Sequence, residues 1–377
     1  MIELAAIWFI DVTIEADAGE YVQISGNLAA KGIYSFDGET PTRLRQPVYP
    51  LFLYLVYWQL GQSYAVVRLL QALVGIVAFV LILRSYDYLL PRSGLRWASI
   101  IVGSYFPLWI NCVFILTEML TICGVALFVY WLVRSVCEVR LRPAVWCGLA
   151  LGLCILTRPI ALSLLLLVWL PFLLPARRRL LRLAVLIGTT VVVVMPWAVR
   201  NGAATGVFTP ISAELTYHSL YTRVHNAEVP GDSLKSYPEL AQRGGSDTQA
   251  VGALWRSFAS DPLRFTINGV GRMLYAWSYF PGSRNYFDRP ALRVLSHSIQ
   301  GLMLLGIVVG LLLVDRRARV LLLYPALCFS SVLILTEAIS RSLLPIMPPL
   351  LLALAFALRS CWRRLTDHPV QPDGQFT

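Results

Sequence analysis

Long apolar segments, several of them close to 20 residues, most limit what this chain can fold into. A helix needs about 20 mostly apolar residues to cross the hydrocarbon core of a bilayer. Hydrophobic residues make up 57% of the 377 residues and charged ones only 14%, which argues against a soluble domain. The sequence therefore predicts an all-α, polytopic membrane protein, with spans at 66–83, 97–116, 118–133, 144–156, 160–174, 183–199, 296–314, 320–336 and 342–358.

Three of the apolar segments are short. The two spans on either side of Arg158 form either a re-entrant hairpin or tilted helices. Residues 2–14 lack the basic region and the small-residue cleavage site of a signal peptide. They are an interfacial segment or, in the interpretation we favour, the remnant of a first transmembrane helix. With that segment counted, we predict about ten crossings.

The formal net charge of +11 comes from arginines in short connections between the apolar segments. Every second connection is basic, which is the positive-inside pattern of membrane proteins. The charge therefore indicates topology and contact with membrane lipids, and it argues against nucleic acid as a partner. The basic connections lie at 84–96, 134–142, 177–182, 316–319 and 359–364.

Placing the basic connections in the cytoplasm divides the chain into regions. We predict a membrane-embedded domain at 1–364 that carries a first extracytoplasmic loop at 15–64 and a large one at 200–294. Residues 365–377 are polar and contain proline, which predicts a disordered cytoplasmic tail. An amphipathic pattern around Asp261 and Pro262 predicts a helix that lies in the membrane interface or packs onto the membrane domain, and in either case can cover a cavity.

The predicted topology brings the unusual polar residues to one membrane surface. Ionisable groups near bilayer depth are costly unless they are paired or face water, so they are functional candidates by default. Their convergence predicts a polar cavity on the extracytoplasmic side. These residues are Asp17, Glu20, Arg45, Glu118, Arg158, Arg200, Glu337 and Arg341.

Several short motifs follow one another in a recognisable order along nearly the whole chain. They are Asp17-Ala18-Gly19-Glu20-Tyr21, Arg45-Gln46-Pro47-Val48-Tyr49-Pro50, Thr117-Glu118, Leu156-Thr157-Arg158-Pro159, Pro196-Trp197-Ala198-Val199-Arg200-Asn201, Asp261-Pro262 and the stretch from Glu337 to Arg341. Their order and spacing resemble the GT-C glycosyltransferases, in the bacterial branch related to protein O-mannosyltransferases and lipid A aminoarabinose transferases. The resemblance implies a GT-C-like fold in a bacterial inner membrane, with interfacial helices in the extracytoplasmic loops.

The resemblance implies an enzyme that transfers a hexosyl or pentosyl sugar from a polyprenyl-phosphate-linked donor. The acceptor is a glycan, a lipid or a protein on the extracytoplasmic side, and the anomeric carbon is inverted. Asp17 matches the catalytic carboxylate of that family. An acceptor hydroxyl is a weak nucleophile, so a carboxylate within hydrogen-bond reach can take its proton as the sugar bond breaks. Glu20 shares a helical face with Asp17 if that stretch is helical, and it is either catalytic or orients Asp17.

The leaving phosphate needs cations, and arginine forks match its oxygens. The candidates for this donor phosphate-binding role are Arg45, Arg158, Arg200 and Arg341. The alternative for each is an arginine that anchors a helix end. Arg341 is favoured because Glu337 can hold it in position, while Glu118 and Tyr49 are supporting residues.

The sequence contains no motif that is typical of another kind of catalysis. The four histidines are scattered, and neither a HExxH pair, a CxxC pair, a Walker loop nor a GxSxG elbow is present. We therefore predict no metal ligands and no cofactor, and leave open whether the reaction requires a divalent metal. Three alternatives remain: a transporter or flippase of a polyprenyl-linked glycan, a polymerase or ligase of surface polysaccharide, and a non-catalytic scaffold.

Overall fold

A computed structural model describes residues 17–138, 140–173, 178–212, 252, 255, 256, 258–278, 290–335 and 340–366. Over these residues the chain is built of helices, and the described part has no β-strand beyond an isolated bridge between Ser35 and Pro41. The helices are α1 Asp17–Lys31, α2 Val48–Leu60, α3 Tyr64–Leu89, α4 Leu95–Gly103, α5 Phe106–Ile110, α6 Glu118–Cys137, α7 Arg142–Thr157, α8 Arg179–Thr205, α9 Pro262–Ser278, α10 Pro290–Leu313, α11 Arg316–Leu335 and α12 Met347–Thr366. Short 3₁₀ helices lie at Arg92–Gly94, Pro159–Leu165, Pro171–Leu173 and Ser340–Ile346.

Five helices in the described residues are long and apolar enough to cross a membrane. They are α3, α6, α8, the part of α10 at Val294–Leu313, and α12 together with the end of the preceding 3₁₀ helix, at Ser342–Thr366. The shorter α2 and α7 are also apolar. The predicted all-α, polytopic membrane fold is thus confirmed, whereas the number of about ten crossings stays a prediction.

The structure corrects three segment boundaries. The predicted span 97–116 is broken into α4 and the five-residue α5, because Pro107 lacks the N–H that a continuous helix would need. The predicted span 160–174 forms 3₁₀ helices and turns, so it is not a second full helix after Arg158. The predicted loop 15–64 contains α1 and the apolar α2.

Three other predictions fall largely outside the described residues. The terminal segment 2–14 belongs to them, and so do residues 367–377 of the predicted tail. The described chain is helical up to Thr366, and the disordered tail stays a prediction. Most of the predicted loop 200–294 is also outside the described part.

The helix predicted around Pro262 is present as α9. Gly269 and Ala276 are buried on one face, and the Trp277 indole N–H donates to the Ser330 hydroxyl of α11 over 3.0 Å. Leu263 and Ile267 are exposed on the other face. The helix therefore packs onto the membrane domain and also carries the apolar outer face of an interfacial helix.

Glycine allows two pairs of helices to approach closely. A Cβ atom at Gly148 of α7 would lie 2.4 Å from the Leu186 carbonyl oxygen of α8, and one at Gly152 would lie 2.6 Å from the Val193 side chain. Gly306 and Gly310 of α10 meet α12 in the same way. Both pairs have the GxxxG spacing that lets membrane helices pack backbone to backbone.

The helices run alternately between two ends of the bundle. At one end, here called the basic end, the Arg182 guanidinium donates to the Ser135 carbonyl over 2.6 Å, Arg359 donates to the Ser93 hydroxyl, and Trp97 contacts Trp362. Helices α3 and α6 finish there, whereas α7 and α8 begin there. The other ends of these four helices carry Gln71, Glu118, Arg158 and Arg200, and we call this the site end.

Candidate functional site

The first turn of α1 carries two carboxylates. Asp17 and Glu20 are three residues apart on a helix, so they lie on the same face, as predicted for a helical stretch. The Arg45 guanidinium donates to Asp17 Oδ1 from NH2 over 2.6 Å and to Glu20 Oε2 from Nε over 2.5 Å. One arginine therefore bridges both acids and offsets the repulsion between them.

Arg45 is held in an almost closed environment. Its side chain is 4% exposed, whereas those of Asp17 and Glu20 are 22% and 18% exposed. Its guanidinium carbon also lies 5.2 Å from the centre of the Tyr21 ring, a cation–π contact. The carboxylates thus remain partly open to a ligand while their cation is buried beneath them.

Two tyrosines and a glutamine connect this cluster to the bundle. The Tyr21 and Tyr49 rings meet edge to face with centres 5.0 Å apart, and the Tyr49 hydroxyl donates to the Gln71 side-chain oxygen over 2.8 Å. Gln71 in turn donates to the carbonyl oxygens of Cys112 and Phe114 at 2.8 Å each. Tyr49, predicted as a supporting residue, therefore fixes α1 and α2 against α3 and the segment before α6.

A second ion pair lies at the same end of the bundle. The Arg158 NH1 group donates to Glu118 Oε1 over 3.0 Å, and the two side chains are 18% and 3% exposed. Glu118 is in the first turn of α6, where the helix dipole favours a negative charge. Gln71, which accepts from Tyr49, also donates to the Phe114 carbonyl shortly before α6, so this pair lies at the same part of the site end as the carboxylates of α1.

Arg200, near the end of α8, binds the loop between α1 and α2. Its NH1 group donates to the Thr42 carbonyl over 2.6 Å, and its NH2 group donates to the Tyr34 carbonyl over 3.2 Å. Its guanidinium carbon lies 5.2 Å from the centre of the Tyr34 ring and 4.9 Å from that of the Trp197 ring. The predicted donor-binding arginine thus has backbone carbonyls, the Asn201 side-chain oxygen and aromatic rings as its described partners.

Two loop residues have shifted ionisation that follows from their surroundings. Burial raises the pKa of the Tyr34 hydroxyl well above its ordinary value, and Tyr21 adds to that effect, so the hydroxyl stays protonated and acts as a donor. A hydrogen bond from the Ser35 hydroxyl, together with the N–H groups of Glu39 and Thr40, holds the pKa of Asp37 well below its usual range. Asp37 closes the turn of the loop, and the groups that donate to it in the described hydrogen bonds belong to that turn.

The structure brings most of the predicted site residues to one end of the molecule. Arg341 lies in the 3₁₀ helix Ser340–Ile346, but its side chain is outside the described part of the chain, as is the whole of Glu337. Sequence reasoning did not assign site roles to three residues that connect the cluster. They are Tyr21, Tyr34 and Gln71. Tyr21 and Tyr34 lie in the predicted first loop, close to its motifs. Their position there is the sequence feature that could have indicated a role in the site.

The described residues contain no group of three or more His, Cys, Asp or Glu side chains that could hold a metal ion. The chemistry available at this end is that of the carboxylates of Asp17, Glu20 and Glu118 and of several guanidinium groups. Such a set can accept a proton from a hydroxyl and can stabilise an anionic oxygen.

Comparison with known proteins found two solved structures. They are the crystal structures of ArnT from Cupriavidus metallidurans bound to undecaprenyl phosphate and in the apo state, at 14% and 15% sequence identity and TM-scores of 0.47 and 0.44. Each comparison covers 94% of this chain and 76% of the other. Scores this low carry no conclusion about this chain. No family model and no curated protein matches the sequence.

Proposed function

We propose that the chain is an integral-membrane glycosyltransferase that uses a polyprenyl-phosphate-linked sugar as its donor. The observation that carries the proposal is the pair of partly open carboxylates, Asp17 and Glu20, held by the buried Arg45. The GT-C resemblance of the motifs supports the same reaction. The sugar is a hexose or pentose, and the acceptor is a hydroxyl of a glycan, a lipid or a protein.

Asp17 is proposed as the general base. In a single displacement, the acceptor oxygen forms a bond to the anomeric carbon as the bond from that carbon to the phosphate oxygen breaks. The acceptor proton passes to the Asp17 carboxylate, and the electron pair of the broken bond leaves with the polyprenyl phosphate. Because attack comes from the face opposite the leaving group, the configuration at the anomeric carbon inverts, and no covalent enzyme intermediate forms.

Arg45 is proposed to keep the two acids ionised and oriented. An opposite charge within hydrogen-bond distance favours the charged form of a carboxylate, which a base requires. Because the Arg45 side chain is only 4% exposed and already bonds both acids, a phosphate has little access to it. We therefore assign Arg45 to the carboxylates rather than to the donor phosphate.

Arg158 and Arg341 are the proposed ligands of the donor phosphate. The described contact of Arg158 to Glu118 uses one of the five N–H groups of a guanidinium. The remaining groups can bind phosphate oxygens, whose negative charge grows as the sugar bond breaks. Arg341 is proposed from the sequence, since it precedes α12 in the matching motif.

Positive-inside reasoning supports a site on the extracytoplasmic side of a bacterial inner membrane. The arginine-rich connections gather at the basic end, opposite Asp17 and Arg45, and such connections favour the cytoplasm. Cysteine labelling with a membrane-impermeant reagent tests this orientation. The native Cys361, exposed near the basic end, should react only in opened cells or inverted vesicles, whereas a Glu39→Cys variant should react in intact cells. The reverse pattern would overturn the orientation.

The test of the function is sugar transfer from a polyprenyl-phosphate donor by purified protein in detergent or nanodiscs. Asp17→Asn should lower the rate by roughly 10²- to 10⁴-fold, the usual contribution of a general base, in protein that still folds because Arg45 keeps its bond to Glu20. Glu39→Gln, which alters an exposed acid of the same loop, should retain full activity. Full activity in Asp17→Asn would remove Asp17 as the base, and ATP-independent movement of the donor without transfer would favour a flippase.

A further inference from the structure

The main chain at Arg45 is fixed by a buried tyrosine. The Tyr34 hydroxyl donates to the carbonyl oxygens of Arg45 over 3.0 Å and of Gln46 over 3.2 Å. Tyr34 is 7% exposed, so water does not compete effectively for these bonds. These two carbonyls lie just before α2. Because they fix the main chain of Arg45, they also fix the point from which its side chain reaches Asp17 and Glu20.

Tyr34 is in turn held by α8. Arg200 donates to its carbonyl oxygen and to that of Thr42, and the Thr42 N–H donates to the Tyr34 carbonyl over 3.0 Å. The Tyr34 ring meets the Trp197 ring edge to face, with centres 5.1 Å apart. The Arg200 guanidinium lies against both rings. The loop between α1 and α2 is therefore attached to α8 through one arginine and two aromatic rings.

The chain that leaves α8 is attached to the same place. The Gln46 side-chain amide donates to the Pro210 carbonyl over 3.0 Å, and the Asn201 amide donates to the Thr209 carbonyl over 2.8 Å. Residues 209–210 are thereby held beside the Arg45–Gln46 carbonyls. A displacement of this segment, or loss of Arg200, would reach the carboxylates through Arg45.

We propose that Arg200 and Tyr34 are positioning residues that hold the Arg45 main chain, and through it the two carboxylates, in the geometry for sugar transfer. This assignment rests on the proposed function and replaces the donor-phosphate role that the sequence alone suggested for Arg200. Both terminal nitrogens of Arg200 already donate to protein oxygens: NH1 to Thr42 and Asn201, and NH2 to Tyr34. A donor phosphate would have to compete with these bonds.

Steady-state kinetics with a polyprenyl-phosphate sugar separate the two roles. Tyr34→Phe removes only the hydroxyl, and Arg200→Gln removes the attachment to α8. If both residues position Arg45, each variant lowers kcat by roughly 10-fold or more and leaves the donor KM nearly unchanged. The double variant then falls well short of the product of the two losses, because both act on one contact chain. A large rise in donor KM confined to Arg200→Gln would overturn the proposal.

Arg200→Lys provides a second test that keeps the charge. Lysine retains attraction for a phosphate but lacks the planar fork that spans two carbonyls and stacks on two rings. Under the positioning role Arg200→Lys should therefore resemble Arg200→Gln. Activity near that of the unmodified protein would instead indicate that the positive charge alone matters.

Hydrogen–deuterium exchange of residues 33–46 tests the attachment without any activity. Arg200→Gln and Tyr34→Phe should speed exchange in this segment, whereas Arg134→Gln, at the basic end, should not. Unchanged exchange in both variants would contradict the attachment even if Asp17→Asn proved inactive. Conversely, faster exchange together with full activity of Asp17→Asn would retain the attachment and reject the proposed function.

Discussion

Arg45 at the site end and Arg134 at the basic end are both paired with acids, yet the pairs differ in origin. Arg45 bonds Asp17 and Glu20, which are 28 and 25 residues away in the chain. Arg134 bonds Glu138, four residues on and just past the end of α6, and lies against the rings of Tyr130 and Trp131. The first pairing exists only because the fold brings α1 and the start of α2 together.

Three further arginines differ in whether their described partner is an acid or a neutral group. At the site end Arg158 bonds Glu118 across 40 residues, whereas at the basic end Arg182 and Arg359 bond a serine carbonyl and a serine hydroxyl. Ion pairs between distant segments need desolvation and precise placement, so they are costly unless well formed. In the described part of the chain, Arg45 and Arg158 at the site end pair with acids from distant segments, whereas the arginine–acid pair of Arg134 at the basic end is local.

Replacing the paired arginine by glutamine should lower the free energy of unfolding far more at the site end than at the basic end. Arg45→Gln leaves two nearby carboxylates without their cation and should destabilise the protein by about 3 kcal/mol, in the range for breaking a buried pair. Arg134→Gln removes a partly exposed pair at the end of one helix and should cost about 1 kcal/mol or less. Thermal unfolding of both variants in the same detergent measures the difference. Equal shifts in Tm would remove the distinction between the two ends.

The Glu118–Arg158 pair should respond as a unit. Glu118→Gln and Arg158→Gln should each cost roughly 1.5–3 kcal/mol, the range for hydrogen bonds to charged groups. The double variant should cost less than the sum, since the second change removes a charge that the first left without its partner. A double-mutant cycle on unfolding in detergent measures this coupling, and simple additivity would show that the two residues do not stabilise one another.

Glycine-to-alanine substitutions on the adjacent helices α7 and α8 should change the stability of the protein in opposite directions. Gly148→Ala places a Cβ 2.4 Å from a backbone oxygen of α8 and should cost about 1 kcal/mol net of the better helix propensity of alanine. Gly188→Ala, on α8, meets nothing within 4 Å and should stabilise by up to about 1 kcal/mol. The Tm values of the two variants should move in opposite directions. A gain for Gly148→Ala would show that α7 and α8 can separate without cost.

Local sequence patterns are enough to predict the membrane helices, the side on which their ends lie and the shared face of two site residues. Runs of apolar residues predict membrane helices because every backbone polar group in a bilayer must be bonded within the chain. Arginine-rich connections predict which helix ends lie together. The spacing of Asp17 and Glu20 predicts a shared helical face. Each of these inferences needs only neighbours in sequence.

Only the tertiary structure decides which distant residues form hydrogen bonds and ion pairs with each other. The sequence suggested Arg45 and Arg200 as phosphate ligands on equal terms with Arg158, because any arginine can bind phosphate. Only the packing of α1, α2 and α8 shows that Arg45 bridges Asp17 and Glu20 and that Arg200 binds the carbonyls of Tyr34 and Thr42. A guanidinium takes whichever acceptors the fold places within about 3 Å, and that choice is set by helix packing rather than by the motif around the residue.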